Sequence, residues 1–213
     1  MPHQKLHISY NQIHEAIRQS VERFHINEEF KPDLMIAIGG GGFIPARILR
    51  TFLKKTEKGK NIPIQAIGLS LYEDIITSTG EDENGAVEKP GTTVQKTQWL
   101  NFGASHSEIS LLGRRILIVD EVDDTRTTLA YAVEELRKDI EAEEIRRGMK
   151  PGESNTVLGI YVLHNKLKEK KRDLPEEIKK NYFAAVEMPD QWLVYPWDAI
   201  DIETHTEHAN KHN

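Results

Sequence analysis

The sequence contains no cysteine, which removes a disulfide framework, a thiolate metal site and a cysteine nucleophile from consideration. It also lacks an excess of positive charge. Its 28 lysines and arginines face 34 aspartates and glutamates, and the net charge of −6 argues against a general binder of nucleic acid or of membrane surfaces. No apolar run approaches the ~18 residues of a membrane span. The opening residues, Met1-Pro2-His3-Gln4-Lys5, lack the charged-then-apolar pattern of a secretory signal, so a reducing cytoplasmic home is expected. There is no internal repeat. What is left is a globular chain, and 213 residues suit one domain, 1–213, with a sizeable core.

The densest chemistry lies at 116–128. Ile116-Leu117-Ile118-Val119 is a β-favouring apolar run that reads as a buried strand. Asp120, Glu121, Asp123 and Asp124 follow it, broken only by Val122. Thr125, Thr127 and Thr128 then open an amphipathic helix marked by Leu129, Ala132, Val133, Leu136 and Ile140. Carboxylates so crowded repel one another unless a cation, a hydroxyl-rich ligand or protonation offsets them. An acidic helix cap explains one or two of them at most. They fall at the carboxyl end of a core strand, where open α/β sheets place their ligands.

The rest of the chain supplies a frame for that stretch. Ser9 and Gln12 have capping-box spacing, ahead of a helix buried through Ile13, Ile17, Val21 and Phe24. Leu34–Ile38 reads as a strand that runs into Gly39-Gly40-Gly41-Gly42, after which Pro45 opens a helix. Strand, glycine loop and helix present backbone N–H groups and a helix dipole to phosphate. The loop lacks the Lys-Ser/Thr of a P-loop and the third glycine of G-x-G-x-x-G. A second strand is expected over Ile62–Tyr72. The polar loop after it, Glu73–Thr93, has the length of a functional lid or a solvated insertion, and Lys96–Trp99 closes it. Further strands are expected at Thr156–Leu163, Tyr182–Val186 and Trp192–Tyr195. The basic run Lys166–Arg172 reads as a solvated edge, and the histidine-bearing tail His205–Asn213 as a frayed terminus. Strands alternating with helices predict an α/β domain with a mostly parallel sheet.

For a ribose ligand, Asp120 and Glu121 can address the vicinal hydroxyls, directly or through Mg²⁺. Asp124, on the turn into the helix, can act as general acid or base on a ring nitrogen. The threonines and the helix amides suit a phosphate monoester. Carboxylates beside a sugar also favour an oxocarbenium-like transition state.

These residues carry a resemblance. Val119-Asp120-Glu121-Val122-Asp123-Asp124-Thr125-Arg126-Thr127-Thr128 resembles the phosphoribosyl-pyrophosphate (PRPP) signature of type I phosphoribosyltransferases. Met188-Pro189-Asp190-Gln191-Trp192-Leu193-Val194-Tyr195-Pro196-Trp197-Asp198 resembles the purine-binding segment of the 6-oxopurine members, in their fungal hypoxanthine-guanine branch. Glycine loop, lid and both segments occur in the family's order, over about residues 8–202. The resemblance implies the type I phosphoribosyltransferase fold: a mostly parallel central sheet flanked by helices, a small hood built from the chain ends, a flexible lid at about 73–93 and a purine-binding segment at about 182–202. It implies purine salvage, in which hypoxanthine or guanine, with xanthine as a further base, reacts with PRPP and Mg²⁺. The products are IMP, GMP or XMP and pyrophosphate. The implied assembly is a homodimer, with neither nucleic acid nor membrane as partner.

Carried across, Asp120 and Glu121 hold the ribose hydroxyls and a metal, and Asp124 exchanges a proton with purine N7. Thr125, Arg126, Thr127 and Thr128 surround the 5′-phosphate, and Gly40 and Gly41 lie in the pyrophosphate loop. Trp192 stacks on the base, Leu193 offers backbone groups to its edge, and Asp198 helps to hold a metal or pyrophosphate. An indole face binds any purine and is worth ~1–3 kcal/mol. The chain departs from the family pattern in four places. Arg126 replaces a glycine, and Gly40 replaces a basic residue. Leu71 separates the lid's Ser70 from Tyr72. The lysine that grips the purine 6-oxygen aligns by counting with His164, with Lys166 two residues on; Lys166 is preferred because it keeps its charge at pH 7. The competing readings are a regulatory nucleic-acid-binding protein on the same fold and a transferase for adenine or orotate. The Trp-Leu-Val-Tyr-Pro-Trp-Asp segment argues for 6-oxopurines.

Overall fold

The computed structural model describes residues 5–53, 59–72, 93–100 and 110–211. A short strand, β1 (Lys5–His7), leads into helix α1 (Tyr10–Arg23) through the expected capping box. Gln12 N–H donates to Ser9 Oγ at 3.2 Å, and Ser9 N–H donates to Gln12 Oε1 at 2.7 Å. The chain continues through β2 (Leu34–Gly39), α2 (Phe43–Phe52), β3 (Ile64–Tyr72) and β4 (Thr93–Gln98). Next come β5 (Arg115–Asp123), α3 (Thr127–Arg146), β6 (Val157–Lys166), α4 (Glu176–Lys179) and β7 (Tyr182–Met188). It ends with β8 (Trp192–Val194), a 3-10 turn at Pro196–Asp198 and α5 (Ile202–Asn210).

Six strands form one sheet in the order β4-β3-β2-β5-β6-β7, parallel throughout except for β4 against β3. The apolar run of β5 shows why it needs layers on both faces. Ile116 and Ile118 turn to one side and join a cluster with Leu129, Val133 and Leu136 of α3. Leu117 and Val119 turn to the other, into a cluster with Ile13 and Ile17 of α1 and Leu49 of α2. All four are fully buried, and each burial contributes roughly 1.5–3 kcal/mol.

The structure departs from the sequence reading where elements are edges or chain ends. Residues read as closing the lid form β4, whose polar composition hides a strand because it is an exposed edge. Lys96 pairs with Glu135 of α3, and Trp99 Nε1 donates to Asp139 at 2.6 Å, which fastens this edge to the helix layer. The strand read as ending at Leu163 runs on to Lys166. β8 leaves the main sheet and pairs with β1, Leu6 opposite Leu193. The tail is not frayed over its described length: Asp201 accepts the Thr204 N–H at 3.0 Å and caps α5. His205 Nε2 lies 2.9 Å from the Ile8 carbonyl and docks that helix on β1. Tertiary contact, not propensity, holds a helix of this length. β1, β8 and α5 thus make a small hood from the chain ends. The lid expected at 73–93 lies outside the described residues apart from Thr93. No helix among the described residues is long and apolar enough to cross a membrane.

Candidate active site

The order in which strands are added reverses between β2 and β5, which are parallel neighbours. From β2 the chain builds outward through β3 and β4, then returns to β5 on the other side and builds outward through β6 and β7. The helices that follow the two central strands leave on opposite faces, which opens a crevice at the strands' carboxyl ends. A cleft of about 300 Å³ occupies it, lined by Gly39–Gly41 from one loop and Asp120–Leu129 from the other. The two stretches singled out in the sequence therefore share one site.

Close approach explains the glycines. A methyl group on Gly41 would stand 1.9 Å from Glu121 Cδ, so the bare backbone lets that carboxylate lie against the loop. A methyl on Gly42 would meet the carbonyls of Val119 and Ile38 at 2.5 and 2.6 Å, whereas Gly40 faces open space. The Gly39–Gly40 peptide is cis.

Each carboxylate has its own surroundings. Asp120 is buried, and its Oδ1 accepts the Glu121 N–H at 2.9 Å. Burial, and then the charge of Glu121, push its pKa well above the ordinary value. Asp123 is fully buried beneath the loop and pairs with Arg126 at 2.9 Å. Asp124 is 41% exposed, with Lys168 Nζ at 2.6 Å and Lys166 Nζ at 3.5 Å from its Oδ1. Both lysines also reach Asp190, at 3.1 and 3.5 Å. Burial alone would raise the Asp190 carboxyl, but the Lys168 bond takes it below its ordinary range. Thr125 Oγ1 and Thr127 Oγ1 are 2.9 Å apart. The residue before α3, Arg126, gives it no side-chain cap among the described residues. The helix's first amides, at residues that line the cleft, are thereby left to an anion.

The residues expected at the base are spread over other elements. Trp192 stands 56% exposed on β8, next to Leu193, which packs partly on the core. Asp198 is exposed on the 3-10 turn, outside the residues that line the cleft. Ser70 and Tyr72 lie within β3, Ser70 exposed. His164 is buried on β6 with Nδ1 2.9 Å from Tyr195 Oη, and that phenol donates to the Glu121 carbonyl at 3.2 Å. With the phenol proton on the carbonyl, Nδ1 carries the hydrogen that Oη accepts. Burial pushes the His164 pKa down to about 4, so the ring is neutral at pH 7.

The basic run is only in part a solvated edge, since Lys171 and Arg172 are exposed but alternate lysines before them are not. Lys166, Lys168 and Lys170 are turned onto the acids of β5 and its loop, their side chains 12, 27 and 14% exposed. Lys168, Lys170, Asp190, Tyr182 and Tyr195 went unsingled in the sequence. One signal pointed to the lysines: the acidic surplus at 120–124 needs counter-charges, and this run follows the strand that pairs with β5.

A glycine loop and an acid-tipped strand at the switch point of a parallel sheet define a class of α/β proteins that hold phosphorylated ligands. Within it, residues 9–192 match the phosphoribosyl transferase domain, and the chain belongs to that family. It is 53% identical to hypoxanthine-guanine phosphoribosyltransferase of Schizosaccharomyces pombe, over 97% of this chain and 95% of that protein. It is 52% identical to xanthine phosphoribosyltransferase 1 of Saccharomyces cerevisiae, over 95% and 94%. Among solved structures, a hypothetical protein of Neisseria gonorrhoeae with bound ppGpp superimposes with a TM-score of 0.73 at 36% identity, covering 100% of this chain and 99% of that one.

Proposed function

We propose that the protein is a purine-salvage enzyme that transfers the 5-phosphoribosyl group of PRPP to hypoxanthine or guanine, with xanthine as a further substrate, and releases pyrophosphate. One observation carries the reading above the others: the glycine loop, the carboxylate pair and the threonine-lined helix start converge on one cleft. Relatives above half identity with hypoxanthine-guanine and xanthine specificity support the choice of base. The Neisseria structure, at 36% identity, carries bound ppGpp, a ligand of the guanine nucleotide class.

In this reading Asp120 and Glu121 take the ribose hydroxyls, and Thr125, Thr127 and Thr128, with the α3 amides, take the 5′-phosphate. Gly40 and Gly41 offer backbone to pyrophosphate. As the C1′–pyrophosphate bond breaks and the C1′–N9 bond forms, the adjacent carboxylates favour the positive charge on the ribose. Asp124 exchanges the proton with purine N7, and its partial exposure leaves an oxygen accessible for that. Lys166 is the better candidate for the purine 6-oxygen, since it shares Asp124 with Lys168, whereas His164 is neutral and occupied by Tyr195. Trp192 and Leu193 supply a stacking face and an edge.

The donor set fits Mg²⁺ that arrives with substrate. Among the described residues no group of three or more His, Cys, Asp or Glu forms a cage, but Asp120 and Glu121 are adjacent oxygen donors at the cleft, the ligand type a hard divalent cation takes. When bound, the ion supplies charge neutralisation at the pyrophosphate leaving group. A homodimer in the cytoplasm completes the reading.

The test is pyrophosphate release from PRPP and Mg²⁺ with each purine in turn. Release is expected with guanine and hypoxanthine, and none with adenine or orotate. Release with adenine alone, or with no base, overturns the proposal.

A further inference from the structure

Asp123 is fully buried, and Arg126 stands at the foot of α3 with φ of 66°, in the left-handed region that favours glycine. The two explain each other. Arg126 Nε and Nη2 both lie 2.9 Å from Asp123 Oδ2, and the guanidinium sits 5.1 Å from the centre of the Tyr182 ring. Tyr182 O–H donates to the same carboxylate oxygen at 2.7 Å. From below, Lys170 Nζ donates to the carbonyls of Asp123, Asp124 and Lys166 at 2.7, 3.1 and 2.8 Å. It also lies 3.4 Å from Asp123 Oδ1. An ammonium has three protons, and these three carbonyls use them.

We infer that Asp123, Arg126, Tyr182 and Lys170 form a buried frame that fixes the phosphate-binding loop from behind, with Arg126 a positioning residue and not a ligand of phosphate. The frame ties the end of β5 to the end of β6 through Lys170 and to the start of β7 through Tyr182. The Lys171 N–H adds a bond to the Thr125 carbonyl at 3.0 Å. With its backbone held from three sides, the loop keeps the Thr125, Thr127 and Thr128 groups aimed into the cleft. A glycine at position 126 would reach the same φ freely but would leave Asp123 Oδ2 without its guanidinium partner, with Lys170 only at 3.4 Å from the other oxygen. A buried carboxylate stripped of that partner is costly, whereas replacing the whole polar set by apolar groups of similar shape is tolerated. Burial alone would lower the Arg126 pKa, but the bond to Asp123 raises it, as a committed ion pair requires.

The inference rests on the site being a PRPP site, and its test separates the two. Arg126→Gly, Asp123→Val and the triple variant Asp123→Val/Arg126→Gly/Tyr182→Phe are compared with the unaltered protein by thermal melting and by steady-state kinetics. Each single change should lower Tm by on the order of 5–10 °C. Each should also raise KM for PRPP about tenfold while kcat moves less. The triple variant, which strands no buried carboxylate but no longer ties the loop, should regain most of the Tm while its KM for PRPP stays raised. If Arg126→Gly raises KM for PRPP while Asp123→Val leaves it unchanged, Arg126 touches phosphate itself and the inference falls. It falls too if the triple variant stays as unstable as the singles, or if Arg126→Gly alters neither quantity. Should Asp123→Val fail to fold, Asp123→Asn removes the charge alone and is read in the same way. Absence of turnover in the unaltered protein would refute the substrate reading and leave the melting arm as the test of the frame.

Discussion

At the scale of single residues, Asp124 and His164 show how place in the structure divides similar chemistry. Asp124 shares its charge with Lys168 and Lys166 and keeps an accessible oxygen. Asp124→Asn should cut kcat by ~10² or more with little change in KM for PRPP, because only the proton exchange is lost. Unaltered turnover would remove Asp124 from that role. Lys166→Ala should raise KM for guanine and His164→Ala should not; the reverse pattern would hand the 6-oxygen to His164. His164 also makes a pH prediction. Its folded pKa of about 4 lies below the ordinary 6.5, so the unfolded chain takes up the proton first as pH falls. The stability tied to its neutral burial is intact above pH 6.5 and is lost between 6.5 and 4, to a total of roughly 3 kcal/mol. Melting at pH 7.5 and pH 4.5 should show a shallower fall for His164→Gln than for the unaltered protein. Equal falls would refute it. The carboxylates and threonines of 120–128 were legible because one strand and its turn carry them together. Lys168, Asp190 and Tyr195 were not, since they reach the same place from other elements.

At the scale of elements, the two loops at the switch point do different mechanical work, and the glycines separate them. Gly42→Ala pushes a methyl into the Val119 and Ile38 carbonyls, neither of which can give way without moving a central strand. It should lower Tm by several degrees, on the order of 5 °C. Gly41→Ala instead meets the end of the Glu121 side chain, which can swing aside. Its Tm should stay within about 2 °C while KM for PRPP rises about tenfold. Gly40→Ala, whose methyl meets no protein atom, should leave Tm unmoved, but it projects into the cleft and should raise KM for PRPP. A Gly41→Ala enzyme with unaltered KM would mean that the Glu121 carboxylate is not used on the ribose or its cation. The central strands were readable because burial on both faces leaves an unbroken apolar run. β4 and α5 were not, because an exposed polar edge and a short end helix leave no period in the sequence, and their partners, Glu135, Asp139 and the Ile8 carbonyl, lie far along the chain.

At the scale of the whole molecule, the site has two halves on two supports. In the proposed assignment the PRPP half belongs to the main sheet, while Trp192 and Leu193, proposed for the base, belong to the hood, which β1 and α5 hold in place. The hood's hold on itself runs through His205. That ring is 5% exposed, reaches the Ile8 carbonyl at 2.9 Å and packs edge-on against His7 with centroids 5.1 Å apart. Removing it in His205→Ala takes away a buried hydrogen bond and leaves the carbonyl short of a donor, a cost of about 1–3 kcal/mol. The cost falls on β1 and, through the Leu6–Leu193 register, on β8. None of these groups lines the PRPP cleft. His205→Ala should therefore raise KM for guanine about three- to tenfold and leave KM for PRPP within about twofold, with Tm lower by about 2–6 °C. Guanine titration at saturating PRPP, and the converse, gives both constants from one preparation. If the two KM values rise together, the hood and the sheet are a single mechanical unit and the division of the site between them is wrong. If guanine KM is unmoved while Tm falls, β8 is held by the core contacts of Leu193 alone, and α5 serves stability without serving the base.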